Sequence, residues 1–259
     1  MKNHFVTLIF FLLIMFSIKE TKAQIPLNDP AWILQTGASE EFNSTLDTVN
    51  KWHPRYAWGN LNNGAEYNYP SNLIQTGTTL KIKADTLTTG VTYTPSIWAS
   101  TPSVGVTYVY QSGAISTRPS GGVELYKFGY IEGYVKVPTG KWSYWPALWV
   151  MDCLGGAYNE IDYLEPNADD CFNGYYYGTN RFIGTSGCAV TYTTGQQDIL
   201  NVPLMSAAFH KYATEWAPDR VNYYFDDVLV RSVYDTSGAT IPQGAMRAIV
   251  NFCIDPYYC

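Results

Sequence analysis

Within Asn159-Glu160-Ile161-Asp162-Tyr163-Leu164-Glu165-Pro166, three carboxylates fall in six residues that otherwise read as a β-strand. Strand side chains alternate between faces, so Glu160 and Asp162 share one face, Ile161 and Tyr163 the other. Regular alternation would then bring Leu164 to the acidic face and turn Glu165 toward the core. A buried carboxylate without partners is costly. One inserted residue, a β-bulge at or near Tyr163-Leu164, returns Glu165 to the side of Glu160 and Asp162. Three acids on one face repel one another, which raises at least one pKa and leaves another group ionised. A retaining glycosidase needs that division: one carboxylate as nucleophile, one carboxylic acid to protonate the leaving oxygen, the two about 5–5.5 Å apart. The same acids would also suit a solvated strand face or a calcium site, since hard cations take oxygen ligands.

The rest of the chain has the composition to build strands around this segment. It has 259 residues, 46% hydrophobic and 16% aromatic, with 22 Tyr and 8 Trp. That supports a sizeable core, and the length fits one all-β domain. Thr, Tyr, Val, Gly and Pro favour strands and turns over long helices. In Tyr130 to Val137, Ile131, Gly133, Val135 and Val137 alternate with Tyr130, Glu132, Tyr134 and Lys136. Thr79 to Lys83 alternates likewise, with Leu80 and Ile82 inward. Arg220 to Phe225, a turn at Asp226-Asp227 and Val228-Leu229-Val230 read as a hairpin. Met246 to Ile254 is another apolar strand. Short strands at this spacing predict a sandwich. The Thr-, Ser- and Gly-rich stretch from Thr86 to Gly122 reads as loops and short strands within one domain.

The N-terminus reads as a leader. Lys2 and His4 precede the apolar run Phe5 to Phe16, and Thr21-Lys22-Ala23 forms a small-residue cleavage site. The run is shorter than the ~18–20 residues that span a bilayer. The expected organisation is therefore a signal peptide over 1–23 and a single domain over 24–259, secreted or periplasmic and free of the membrane after cleavage. Cleavage removes Lys2, Lys19, Lys22 and Glu20, a net +2, taking the formal charge from −6 to −8. This balance disfavours nucleic acid as a partner. Export permits disulfides. The five cysteines, Cys153, Cys171, Cys188, Cys253 and Cys259, are odd in number, so at least one is unpaired within the chain. Cys171 and Cys188 bracket a Tyr-rich segment and suit a hairpin staple. No C-x-x-C pair supports zinc, and the sequence calls for no cofactor.

The acid segment and its flanks resemble glycoside hydrolase family 16. Glu160-Ile161-Asp162-Tyr163-Leu164-Glu165 matches that family's bulged E-x-D-x-x-E signature. Glu41-Phe42-Asn43 with Leu46-Asp47 and Trp52 resembles its opening strand, and Ser112-Gly113-Ala114-Ile115-Ser116 a strand preceding the cleft. Phe128-Gly129-Tyr130-Ile131-Glu132 with Lys136-Val137-Pro138, and Trp145-Pro146-Ala147-Leu148-Trp149, resemble the motifs leading to the catalytic strand. Phe209-His210-Lys211-Tyr212 with Glu215-Trp216, and Tyr224-Phe225-Asp226, resemble later segments. The resemblance implies a β-jelly-roll of two curved antiparallel sheets with sugar bound along a concave cleft. It implies Glu160 as nucleophile, Glu165 as general acid/base and Asp162 assisting between them. It also implies Glu132 as a sugar contact and Trp145 on the cleft floor. Aromatic rings stack on sugar faces at low conformational cost, so Trp58 and Tyr177 join Trp145 as stacking candidates. Trp149 and Trp216 are expected in the core, and His210 as structural.

There are departures. Tyr134 replaces a basic residue, and Asp227 the usual turn glycine. The family adds a strand after the segment resembling Arg247 to Phe252, whereas this chain stops at Cys259, so either the sheet closes differently, or the sequence is truncated, lacks a C-terminal strand and exposes an edge.

These readings converge on a monomeric, secreted, endo-acting β-glycan hydrolase with a polysaccharide substrate. A β-1,3-containing glucan is the first choice and an agar-type galactan the second. Transglycosylation and a non-hydrolytic carbohydrate-binding jelly-roll are the alternatives. The negative charge weakly disfavours a heavily sulfated polymer, which a local basic patch would override.

Overall fold

The computed structural model describes residues 5–8, 14–16, 32–62, 64–93, 106–118, 126–139, 144–152, 159–165, 176–182, 193–199, 205–235 and 241–254. For 5–8, 14–16, 93, 106, 176–182 and 193–199 the description extends to the backbone only. The strands are, in chain order, β1 (Phe5–Leu8), β2 (Ile14–Phe16), β3 (Ile33–Leu34), β4 (Trp52–His53), β5 (Glu66–Asn68), β6 (Leu73–Thr76) and β7 (Thr79–Lys83). They continue with β8 (Asp85–Tyr93), β9 (Val106–Ser112), β10 (Ala114–Thr117), β11 (Gly129–Lys136), β12 (Tyr144–Asp152) and β13 (Asn159–Leu164). The last six are β14 (Tyr176–Phe182), β15 (Thr193–Ile199), β16 (His210–Ala217), β17 (Arg220–Phe225), β18 (Val228–Tyr234) and β19 (Arg247–Ile254).

The larger sheet runs β18-β17-β16-β11-β1-β7-β6, and the second runs β15-β14-β13-β12-β19-β10-β4. A small third sheet joins β5, β9 and β8. Alternation explains how the two main sheets meet. β11 turns Ile131 and Val135 inward, β16 Tyr212 and Trp216, and β17 Val221, Tyr223 and Phe225. β12 answers with Leu148 and Val150, β13 with Ile161 and Tyr163, and β19 with Ala248, Val250 and Phe252. All lie in one continuous apolar core, the arrangement of a sandwich. Trp216 is in that core as expected, its Nε1 donating to the Pro242 carbonyl at 2.9 Å.

The hairpin at Asp226-Asp227 forms as expected. Both residues hold positive φ, 46° and 68°, the conformation a two-residue hairpin needs and one that Asp tolerates better than most residues. Asp226 adds its own support, accepting from Lys211 N at 2.8 Å and meeting His210 Nδ1 at 2.7 Å. His210 stacks on Phe225 with centroids 5.1 Å apart, which is the structural role expected of it.

The position between β7 and β11 is filled from the N-terminus: β1 pairs antiparallel with both, Val6 opposite Ile82 and Leu8 opposite Val135. β2 pairs with β11 and β3. A leader cleaved after Ala23 would carry both strands away and leave the ladder groups of β7 to another segment.

Candidate active site

β13 lies between β12 and β14 in the second sheet. Its pairing with β12 is regular from Asp152↔Asn159 to Trp149↔Asp162, then shifts: Leu148 faces Leu164, and Tyr163 is the extra residue. This is the bulge that the spacing of the acids predicts. Ile161, Tyr163 and Leu164 all enter the core, at 0%, 0% and 1% exposure. Two consecutive residues thus point inward, and the alternation resumes with Glu165 on the same side as Glu160 and Asp162. The three carboxylates line one face of the sheet, opposite the core, each about 5% exposed or less.

The neighbouring strands supply the floor beside them. On β12 the parity that sends Leu148 and Val150 inward sends Trp145, Ala147, Trp149 and Met151 to the acid-bearing face. Trp149 is the cross-strand partner of Asp162, and Met151 of Glu160. Trp149 therefore stands on the acid-bearing side and not in the core between the sheets. It is buried there at 6% exposure, in a second apolar cluster with Tyr56, Ala114, Ala147, Met151 and Ile249, so the expectation of a core residue holds in this cluster and not in the one between the sheets. Trp149 Nε1 donates to Asn251 Oδ1 at 2.7 Å. Trp149 also meets the edges of Trp58 and Tyr56, with centroids 6.1 and 6.5 Å away. Trp58 stacks on Tyr56 at 5.2 Å and 8°, and its Nε1 donates to the Leu61 carbonyl at 3.0 Å. The structure thus brings Trp58, Trp145 and the acids to one face, and adds Trp149, Tyr56 and Asn251.

Glu132 is placed elsewhere. It lies on β11 of the other sheet, on the face opposite Ile131 and Val135, with the whole core between it and the acids. There it accepts from Tyr130 Oη at 3.1 Å and faces Lys211 Nζ at 3.7 Å. It is a buried structural carboxylate of the larger sheet, and the expectation of a sugar contact is corrected. Tyr177 sits in β14, two positions from Thr179, the Cα partner of Asp162; its side chain lies outside the described residues. So do Cys153, Cys171, Cys188 and Cys259, and with them the proposed staple. Among the described residues Cys253 is a free, buried thiol. No group of three or more His, Cys, Asp or Glu among the described residues is placed to hold a metal ion.

Cys253 belongs to a buried polar group at one end of the floor. Asn251 Nδ2 donates to its Sγ at 3.1 Å, and Tyr56 Oη lies 3.3 Å from it. Glu66 joins them, accepting from Ile254 N at 2.7 Å. Burial pushes the Glu66 carboxyl up from 4.5 to about 7. A raised carboxyl pKa means that the folded state prefers the protonated form. Its contribution to stability is full below about pH 4.5 and is lost as the pH rises through about 7. Glu66→Gln, which cannot ionise, is therefore expected to leave stability near pH 4.5 little changed. It should raise it at pH 8 by on the order of 2–3 kcal/mol. Thermal melts at the two pH values check this; equal pH dependence in both proteins would contradict it.

The sequence pattern of "Glycosyl hydrolases family 16" matches residues 62–254. A β-1,3-glucan-binding protein of Penaeus monodon is 31% identical over 122 residues, 42% of this chain and 32% of that protein. A β-glucanase of Rhodothermus marinus is 28% identical over 131 residues, 46% of this chain and 41% of that protein. The aligned part thus spans less than half the length of either relative. The laminarinase catalytic domain of Thermotoga maritima MSB8 superposes with a TM-score of 0.63 at 25% identity, over 83% of this chain and 85% of that one.

Proposed function

The chain belongs to glycosyl hydrolases family 16, and from that membership we propose that it is a secreted, endo-acting hydrolase of β-1,3-containing glucans that retains anomeric configuration. The observation that carries the reading is the bulge at Tyr163, which gathers Glu160, Asp162 and Glu165 on one face of β13.

In this mechanism Glu160 attacks the anomeric carbon from one face of the sugar while Glu165 protonates the departing oxygen. The first half ends in a covalent glycosyl–Glu160 ester and a free leaving sugar. Water deprotonated by Glu165 then attacks the same carbon and releases Glu160. Asp162 lies between the two acids in the chain and on the same face, and its charge biases which of them holds the proton. Trp145 and Trp58 offer flat faces for sugar stacking, and Tyr177 is retained as a third such residue. Trp149, the cross-strand neighbour of Asp162, is fixed by its hydrogen bond to Asn251. The N-terminal leader supports export, and among the described residues no helix is long and apolar enough to cross a membrane. The protein acts as a monomer on a polymeric substrate.

Glucan binding without hydrolysis is the second reading, favoured by the likeness to the β-1,3-glucan-binding protein of Penaeus monodon. The full acid trio argues for hydrolysis, since a binder needs no such set. Reducing-end release on laminarin, lichenan, agarose, carrageenan and xyloglucan separates the two readings and ranks the glycans. Proton NMR of the first-formed product tests the mechanism. Retention, a β-anomer from a β-linked polymer, is expected because the carboxyls share one strand face. An initial α-anomer would refute the double displacement.

A further inference from the structure

The acid-bearing face has a second charged feature, at the opposite edge of the sheet. A continuous row of cross-strand neighbours crosses it: Asp162 to Trp149, Trp149 to Ile249, Ile249 to Ser116 and Ser116 to His53. Four strand spacings place His53 about 19 Å from Asp162 at ~4.8 Å each. Trp52 enters the core, so its neighbour His53 turns to the same face as the acids. Around His53 stand Arg118, which follows β10, Arg247, which opens β19, and the exposed Arg55. Burial and the charges of these three guanidiniums hold the His53 imidazole down to about 4, so it is neutral at ordinary pH.

The positive charge is incompletely answered. Asp152 faces Arg247 at 3.5 Å. Arg118 donates through Nη2 to the Thr48 carbonyl at 3.0 Å, while its buried Nε has no hydrogen-bond partner. Among the described residues Arg55 makes no ion pair. Arg247 is buried, paired with Asp152 and two ladder spacings from Glu160 through Met151, so among the described residues the positive charge without an ion-pair partner is that of Arg55 and Arg118, in a chain whose net charge is −6. Guanidinium forks suit planar or tetrahedral oxyanions, to which they donate two parallel hydrogen bonds.

We propose that this edge is a subsite for an anionic substituent of the glycan, a sulfate ester or a carboxylate, several sugar units from the bond that is cleaved. The proposal rests on the reading of the acid-bearing face as the glycan-binding face. It makes the preferred substrate a charged β-glycan rather than a purely neutral one.

The test is binding by the Glu160→Gln protein, in which turnover does not interfere. The probes are neutral laminarin, sulfated laminarin and carboxymethylated laminarin of matched chain length, measured by isothermal calorimetry at low and high salt. At least one charged form is expected to bind about fivefold tighter than the neutral one at low salt, the scale of a single added hydrogen bond. Salt should erode the preference. The sulfated and carboxymethylated arms tell an ester from a carboxylate. Arg55→Gln, at an exposed position, and Arg55→Gln with Arg118→Gln should bring the charged-to-neutral ratio toward one. Equal affinity for all three probes, or a ratio that survives both variants, overturns the proposal. Loss of binding to every probe, the neutral one included, overturns the glycan-face reading itself and the subsite with it.

Discussion

Glu160→Gln is expected to abolish turnover, by about 10⁴-fold or more, while the fold persists. The loss is large because the covalent step has no substitute: a neutral amide cannot form the glycosyl ester, and removal of a nucleophile that works as part of a unit costs on this scale. The fold should persist because the change keeps volume and removes only charge. Glu160 is held through its backbone between Met151 on β12 and Arg181 on β14, and neither ladder needs the carboxylate. One fewer acid on a three-acid face also relieves repulsion. Asp162→Asn should cost less, since in the proposed mechanism Asp162 forms no bond to the sugar. Initial rates by reducing-end assay, beside thermal melts of each variant, check both statements. Wild-type-like hydrolysis by Glu160→Gln would sink the assignment of the nucleophile.

Deleting Leu164 is expected to lower activity by about 100-fold or more while a strand remains, because small displacements of a catalytic group are expensive. In the native pairing Leu148 faces Leu164 and Trp149 faces Asp162, with Tyr163 as the additional residue. Without Leu164 the segment regains plain alternation. Glu165 then stays on the acidic face but is drawn toward Asp162 by the length of the lost bulge. The general acid is thereby moved relative to the nucleophile, and the core loses a side chain that is 1% exposed. Leu164→Ala, which keeps the bulge and removes only packing, is the control. It should lose stability, by about 2–5 kcal/mol, and keep most of its kcat. Equal kcat in the deletion and the control would show that the bulge does not position the acid.

The bulge is legible in the order of residues alone. Parity in a strand is local: residues i and i+2 share a face whatever surrounds them. A carboxylate out of phase by one therefore demands either burial or an extra residue, and the cost of burial decides between them. The faces of β11, the hairpin at Asp226-Asp227 and the core parity of β17 follow from the same local rule. Parity says which residues travel together, but not which of the two faces meets the other sheet. Trp149 was therefore open to either assignment until β12 was paired with β13 and β19. Glu132 shares an outward parity with Tyr130, yet only the closure of the sandwich puts that side away from the acids. The N-terminal strand in the larger sheet and the gathering of Arg55, Arg118 and Arg247 around His53 belong to the same class. Each depends on which strands become neighbours, a choice made by loop closure and core packing between segments far apart in the chain. The alternation of β7, β11, β13 and β17 and the chemistry of the acid trio follow from residue order alone, because these rest on interactions a few residues long. Which face is the floor, which aromatics stand on it and where the positive charge collects depend on the assembled sheets, because burial is a property of the packed whole.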